Sequence, residues 1–158
     1  MATVELNTRL SFAYHEAGHA AMIYWRREAL HSRCVVLHTD RFGGHNLVPL
    51  YESCETDLMV LIGGHLAQLL AAGIVPQKAI RLRDEYRVPN SDSRRIRSLI
   101  RQLRGKDDRN YEFDVQEIIE EPGTWRAISA IAERLASDGK ITGEECERLF
   151  AECRTPQF

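Results

Sequence analysis

Residues 10–25 read LSFAYHEAGHAAMIYW. Leu10, Ala13, Tyr14, Ala17, Ala21 and Trp25 recur at the spacing of a helix with one apolar face. The pattern predicts a helix from about Thr8 to Leu30, with Asn7 or Thr8 as its N-cap. Inside it lie His15 and His19, one helical turn apart, with Glu16 directly after the first. Side chains so spaced project from one face. Both imidazoles then reach a single metal ion, and Glu16 sits close enough to take a proton from water at that ion. Zinc suits the pattern, because imidazole binds it well and a catalytic site keeps one position open. Its Lewis acidity would acidify water and polarise a carbonyl, with Glu16 as general base and then proton donor to the leaving amine. The apolar flanks Phe12, Ala13, Tyr14 and Ala20, Ala21, Met22, Ile23 mark the helix as buried. Ionisable groups there need compensation, and a metal ion supplies it.

A catalytic zinc usually has three protein ligands. The third is expected from a downstream His, Asp or Glu on another element. His31, His38, His45, His65, Asp84, Glu85 and Asp92 are candidates, and periodicity does not choose among them. The short spacing to a glycine and a third histidine, known from one class of zinc sites, is missing after His19.

Outward from this helix, Cys34–Leu37 reads as a short buried strand, since Val35 and Val36 favour the pleat. Gly43-Gly44 is a turn signal, and Asn46 to Leu50 is expected to pair back as an edge strand, where Pro49 is tolerated. A helix starts near Ser53 to Asp57 and runs to about Ala72, stopped by Gly73 and Pro76. The span from Leu58 to Val75 carries no formal charge, which is the lower edge of transmembrane length. Gly63-Gly64, His65 and Gln68 near its middle argue for a buried core helix instead. Residues 77–91 read as an irregular charged connection. Pro89-Asn90-Ser91-Asp92 opens another helix, with Ile96, Leu99, Ile100 and Leu103 on its buried side. Gly105–Asp108 is a turn. Two helices follow, about Tyr111 to Glu120 and about Thr124 to Ser137. Asp138-Gly139-Lys140 is a turn, and Thr142-Gly143-Glu144-Glu145 is a capping-box pattern for the last helix. The architecture expected is a mainly α (α+β) single domain over residues 1–158, with a small β element near the first helix.

Composition narrows the function classes. With 158 residues, 44% hydrophobic and 28% charged, the chain can bury one sizeable core. A formal net charge of -2 gives no general attraction to nucleic acid. The basic run Arg81, Arg83, Arg87, Arg94, Arg95, Arg97, Arg101 and Arg104 reads as a solvated face, with a docking surface for an acidic partner as the alternative. Cys34, Cys54, Cys146 and Cys153 form no CxxC pair, and Met1–Glu5 is no signal peptide, so a reduced cytoplasmic chain is expected. Cys146 and Cys153 are expected on one face of the last helix as small apolar residues.

The segment Ala13-Tyr14-His15-Glu16-Ala17-Gly18-His19-Ala20 resembles the zinc motif in the peptidase domain of FtsH-type AAA proteases. Other segments agree in order. Leu61-Ile62-Gly63-Gly64-His65-Leu66-Ala67 is similar to the family's LLGGRAAE helix behind the site. Ser91-Asp92-Ser93-Arg94-Arg95 resembles its helix with the zinc-ligand aspartate. Ile131-Ala132-Glu133-Arg134-Leu135 with Gly139–Glu145 resembles its C-terminal stretch. The likeness spans about residues 9 to 151. It implies a helical zinc-metallopeptidase domain with Zn2+ held by His15, His19 and Asp92, and with Glu16 catalytic. Ser93 stands where the family has a hydrophobic residue and Val88-Pro89 where it has Gly-Ala, so Asp84 is the next choice for the third ligand. His65 replaces the family's arginine and reads as a core histidine before a ligand. Phe42–Leu47 would match the strand that pairs with extended substrate.

The 158 residues contain no phosphate-cradling loop and no membrane anchor. The expected activity is therefore hydrolysis of peptide bonds in unfolded or exposed polypeptide, with a separate ATPase or adaptor as a partner for folded substrates. No nucleic acid and no membrane is expected as a partner, and a homo-oligomer stays open. The alternative is a catalytically silent, metal-stabilised protein-interaction module derived from such a peptidase.

Overall fold

The first helix, α1, spans Thr8–Trp25. It ends sooner than its pattern suggests. The Arg26 amide still bonds to the Met22 carbonyl at 2.9 Å, and Arg26 itself lies in a turn. Beyond Trp25 the sequence Arg26-Arg27-Glu28 offers no apolar face to bury. The computed structural model describes residues 8–26, 34–37, 44–46, 53–74, 91–103 and 111–154. The expected connection at 77–90, the turn at 105–108, and Asn7, Pro49, Pro76 and Asp84 lie outside the described residues.

Next along the chain come β1 (Cys34–Leu37), β2 (Gly44–Asn46) and α2 (Cys54–Ala71). Then follow α3 (Ser91–Leu103), α4 (Tyr111–Glu120), α5 (Pro122–Asp138), β3 (Lys140–Thr142) and α6 (Gly143–Arg154). The mainly helical expectation holds. The strands form one antiparallel sheet in the order β2-β1-β3. Val36 pairs with His45 on one side and with Lys140 on the other. Two details differ from the sequence pattern. Gly44, expected in a turn, belongs to β2. Lys140–Thr142, expected only as turn and cap, forms the third strand.

α2 begins where its cap requires. The Ser53 hydroxyl accepts from the Thr56 amide at 3.1 Å, and the helix gives way at Gly73, whose φ is 76°. Every residue from Thr56 to Ala67 is buried, which makes α2 the central helix. No helix among the described residues is long and apolar enough to cross a membrane. Leu58, Ile62 and Leu66 are fully buried, each contributing about 1.5–3 kcal/mol by leaving water.

The α1/α2 crossing is close for a specific reason. A methyl at Gly18 would collide with the Gly63 carbonyl, and one at Gly63 would meet Met22 Cγ at 2.5 Å and the Gly18 carbonyl at 2.9 Å. Glycines at both crossing points let the two backbones touch. α1 also rests on α5 and α6. Tyr14 stacks on Trp125 with ring centroids 5.5 Å apart, and Tyr24 on Phe150 at 5.0 Å. The Trp25 indole donates to the Thr124 hydroxyl at 3.2 Å, and Arg9 Nε donates to the Ala136 carbonyl at 2.6 Å.

α3 lies along the N-terminal part of α2. Cys54 Sγ meets Gln102 Oε1 at 3.6 Å, while Arg95 pairs with Asp57 at 2.7 Å. As α2 advances from Cys54 to Asp57, its partners step back from Gln102 to Arg95, so the helices run antiparallel. Ile96 and Leu99 are buried on this helix, with Ile100 and Leu103 half-buried, as the periodicity predicts. Arg94, Arg97 and Arg101 are exposed. On α6, Cys146 is buried and Cys153 half-buried, both as free thiols.

Candidate metal centre

His15 and His19 lie on the face of α1 that meets α2, with Glu16 beside them. Their ligand atoms lie within 4.8 Å of one another, and the three form a group that can hold a metal ion. Glu16 is 2% and His19 7% exposed, while His15 is half-buried. The two imidazoles meet edge to face, with centroids 4.6 Å apart and planes at 87°.

Each ring is oriented by a different part of α2. His19 Nδ1 is 2.8 Å from the Val60 carbonyl oxygen. A carbonyl only accepts, so Nδ1 carries the proton and donates. His15 Nδ1 lies 3.1 Å from Gln68 Oε1. The Gln68 amide is itself oriented, because its Nε2 donates to the Ser11 hydroxyl at 2.9 Å. Oxygen therefore faces His15, and again Nδ1 donates. In both rings Nε2 is then the lone-pair nitrogen, the atom that a neutral imidazole offers to a metal. A ligating histidine usually donates its other ring N–H to a carbonyl or carboxylate, which fixes tautomer and ring plane. The donor chemistry thus fits a divalent metal such as zinc.

Gly64 makes room for this arrangement. A Cβ there would run into the His19 ring, 2.7 Å from Nδ1 and 2.8 Å from Nε2. The consecutive glycines of α2 therefore divide two tasks. Gly63 admits the α1 backbone, and Gly64 admits the His19 imidazole.

Asp92, the expected third ligand, is the second residue of α3. Its side chain lies outside the described residues, as do the side chains of His31, His38, His45, Asp84 and Glu85. His65 is described: it is 9% exposed and packs edge-on against His15 at 5.0 Å.

Ser11, Val60, Gly64 and Gln68 were not singled out from the sequence as parts of a site. Val60 acts through its backbone and leaves no signature in residue type. Gly63-Gly64 did carry a usable signal. Two glycines inside a helix together cost roughly 2 kcal/mol relative to alanine, which close packing must offset. The strand β2, expected near the site for pairing with extended substrate, lies at the sheet edge opposite β3. Compared with protein-family models and with curated proteins, the sequence finds no match.

Proposed function

We propose that the chain is a zinc-dependent metallopeptidase whose metal is held by His15 and His19 and whose general base is Glu16. One observation carries this reading. Both histidines have Nδ1 tied to α2 acceptors, at 2.8 Å and 3.1 Å, which orients Nε2 as the metal-binding nitrogen of each ring, in one group with the Glu16 carboxylate. A merely structural histidine pair does not need both tautomers fixed alike.

The chemistry that zinc supplies at such a site is Lewis acidity, which acidifies water and polarises a peptide carbonyl. Glu16 accepts the proton of the attacking water at its carboxylate and passes it to the leaving amine. His15 and His19 hold their ring planes through Gln68 and Val60. Asp92 is the third ligand in this reading, supported by its resemblance to the family aspartate. The substrate is unfolded or exposed polypeptide, paired in extended form along the β2 side of the sheet. Delivery of folded substrate falls to a separate ATPase or adaptor.

Burial favours a second reading. Glu16 at 2% and His19 at 7% exposure make a shielded site, which also suits a metal-stabilised interaction module without turnover. Cleavage of casein separates the two. A peptidase cleaves it when zinc-loaded and stops with Glu16→Gln; a silent module keeps zinc and cleaves in neither form. Asp92→Ala is expected to weaken zinc binding, and unchanged occupancy would remove Asp92 from the ligand set.

A further inference from the structure

One more imidazole stands against the trio. His65 is buried within α2, where the neighbours Leu58, Met59, Val60, Leu61, Ile62, Leu66 and Ala67 are all apolar and buried. A leucine or methionine would fill such a position without removing a polar ring from water. His65 instead packs edge-on against His15, with centroids 5.0 Å apart and planes at 83°. His15 in turn packs edge-on against His19 at 4.6 Å. Half of the chain's 6 histidines thus form one continuous row beside Glu16. The row follows from the helix crossing. Gly63 admits α1, Gly64 admits the His19 ring, and the next residue of α2 is brought against His15.

Imidazole is a neutral nitrogen donor, and three imidazoles with one open position are an established zinc set. Resting on the metal site read above, we propose that His65 is a third imidazole donor to the ion held by His15 and His19. Its ring lies outside the group formed by His15, Glu16 and His19, so joining the ion requires the His65 side chain to turn from its place against His15. The consequence depends on Asp92. With three histidines alone the site keeps an open position. With Asp92 bound as well, four protein donors close it, and His65 becomes the residue that sets whether water and substrate gain access.

The test uses the full 158-residue chain loaded with zinc or cobalt(II). X-ray absorption of the wild-type zinc protein is expected to show three imidazoles per metal. His65→Leu and His65→Gln are expected to leave two, to change the cobalt d–d spectrum and to weaken zinc by about tenfold or more. Circular dichroism checks that both variants fold. The imidazole count on the wild type stands independently of them. One bound zinc with two imidazoles in the wild type overturns the His65 assignment and leaves the His15/His19 site intact. A wild type that binds no stoichiometric metal sinks both the site and the assignment.

Discussion

The candidate site is held at the level of single hydrogen bonds. Gln68 meets His15 at Nδ1 and so fixes which nitrogen of that ring carries the proton. Removal of such a supporting partner typically costs about 10–100-fold in metal affinity. Gln68→Leu is expected to weaken zinc by that factor while circular dichroism and unfolding stay near wild type; unchanged affinity would show that His15 needs no help. Gly64→Ala presses a methyl against the His19 imidazole. Its expected result is loss of zinc binding, measured by competition with a chromophoric chelator. His15 and His19 were legible in the sequence because i, i+4 spacing puts them on one face of a helix, with Glu16 beside the first. Their supporting atoms were not, since Val60 contributes a carbonyl and Gln68 comes from a helix 53 residues away.

At the scale of elements, the α1/α2 crossing positions everything else. Gly18→Ala would force a methyl onto the Gly63 carbonyl. Overpacking of this kind costs about 1–3 kcal/mol, and a urea midpoint lowered to match is the expected outcome. A second element is set by its cap. Glu121 accepts from the amides of Gly123 at 3.0 Å and Thr124 at 2.7 Å at the start of α5. Burial raises the pKa of this carboxyl, but those amides, the Thr124 hydroxyl and the charge of Arg126 together hold it below its ordinary value. A depressed pKa in the folded state means that the charged cap stabilises above the unfolded pKa. That contribution is lost as pH falls through the folded value. Glu121→Ala is expected to cost about 1 kcal/mol near neutral pH, with the gap from wild type narrowing in acid. A gap that stays constant with pH would contradict the charged cap.

Most elements could be read from the sequence for local reasons. The Ser53 cap, the Gly73 stop and the alternation of Ile96 and Leu99 are all signals written within a few residues of where they act. β3 was missed for the opposite reason. Lys140-Ile141-Thr142 is too short to show a period, and its partner Val36 lies about a hundred residues earlier in the chain. Thr142 was rightly read as a cap, since its hydroxyl accepts from the Glu145 amide at 3.2 Å. The same residue also ends a strand, which no local pattern reveals.

For the whole molecule, a metal that binds only the folded state adds to its stability. At free zinc about 100 times Kd the gain is about 2.7 kcal/mol, or roughly 5–10 °C in Tm for a domain of this size. Chelation should reverse the shift, and His15→Ala should abolish it. The shift speaks to the site but not to turnover, because a closed, silent module would show it equally. The fold brings a carboxylate and two oriented imidazoles into a buried crossing; in the proposed reading, proton transfer by Glu16 would make that crossing a peptidase. The most direct test therefore measures zinc content and casein cleavage side by side for the wild type and Glu16→Gln. One zinc in each, with cleavage by the wild type alone, is the predicted result. Zinc in both with cleavage by neither would contradict it.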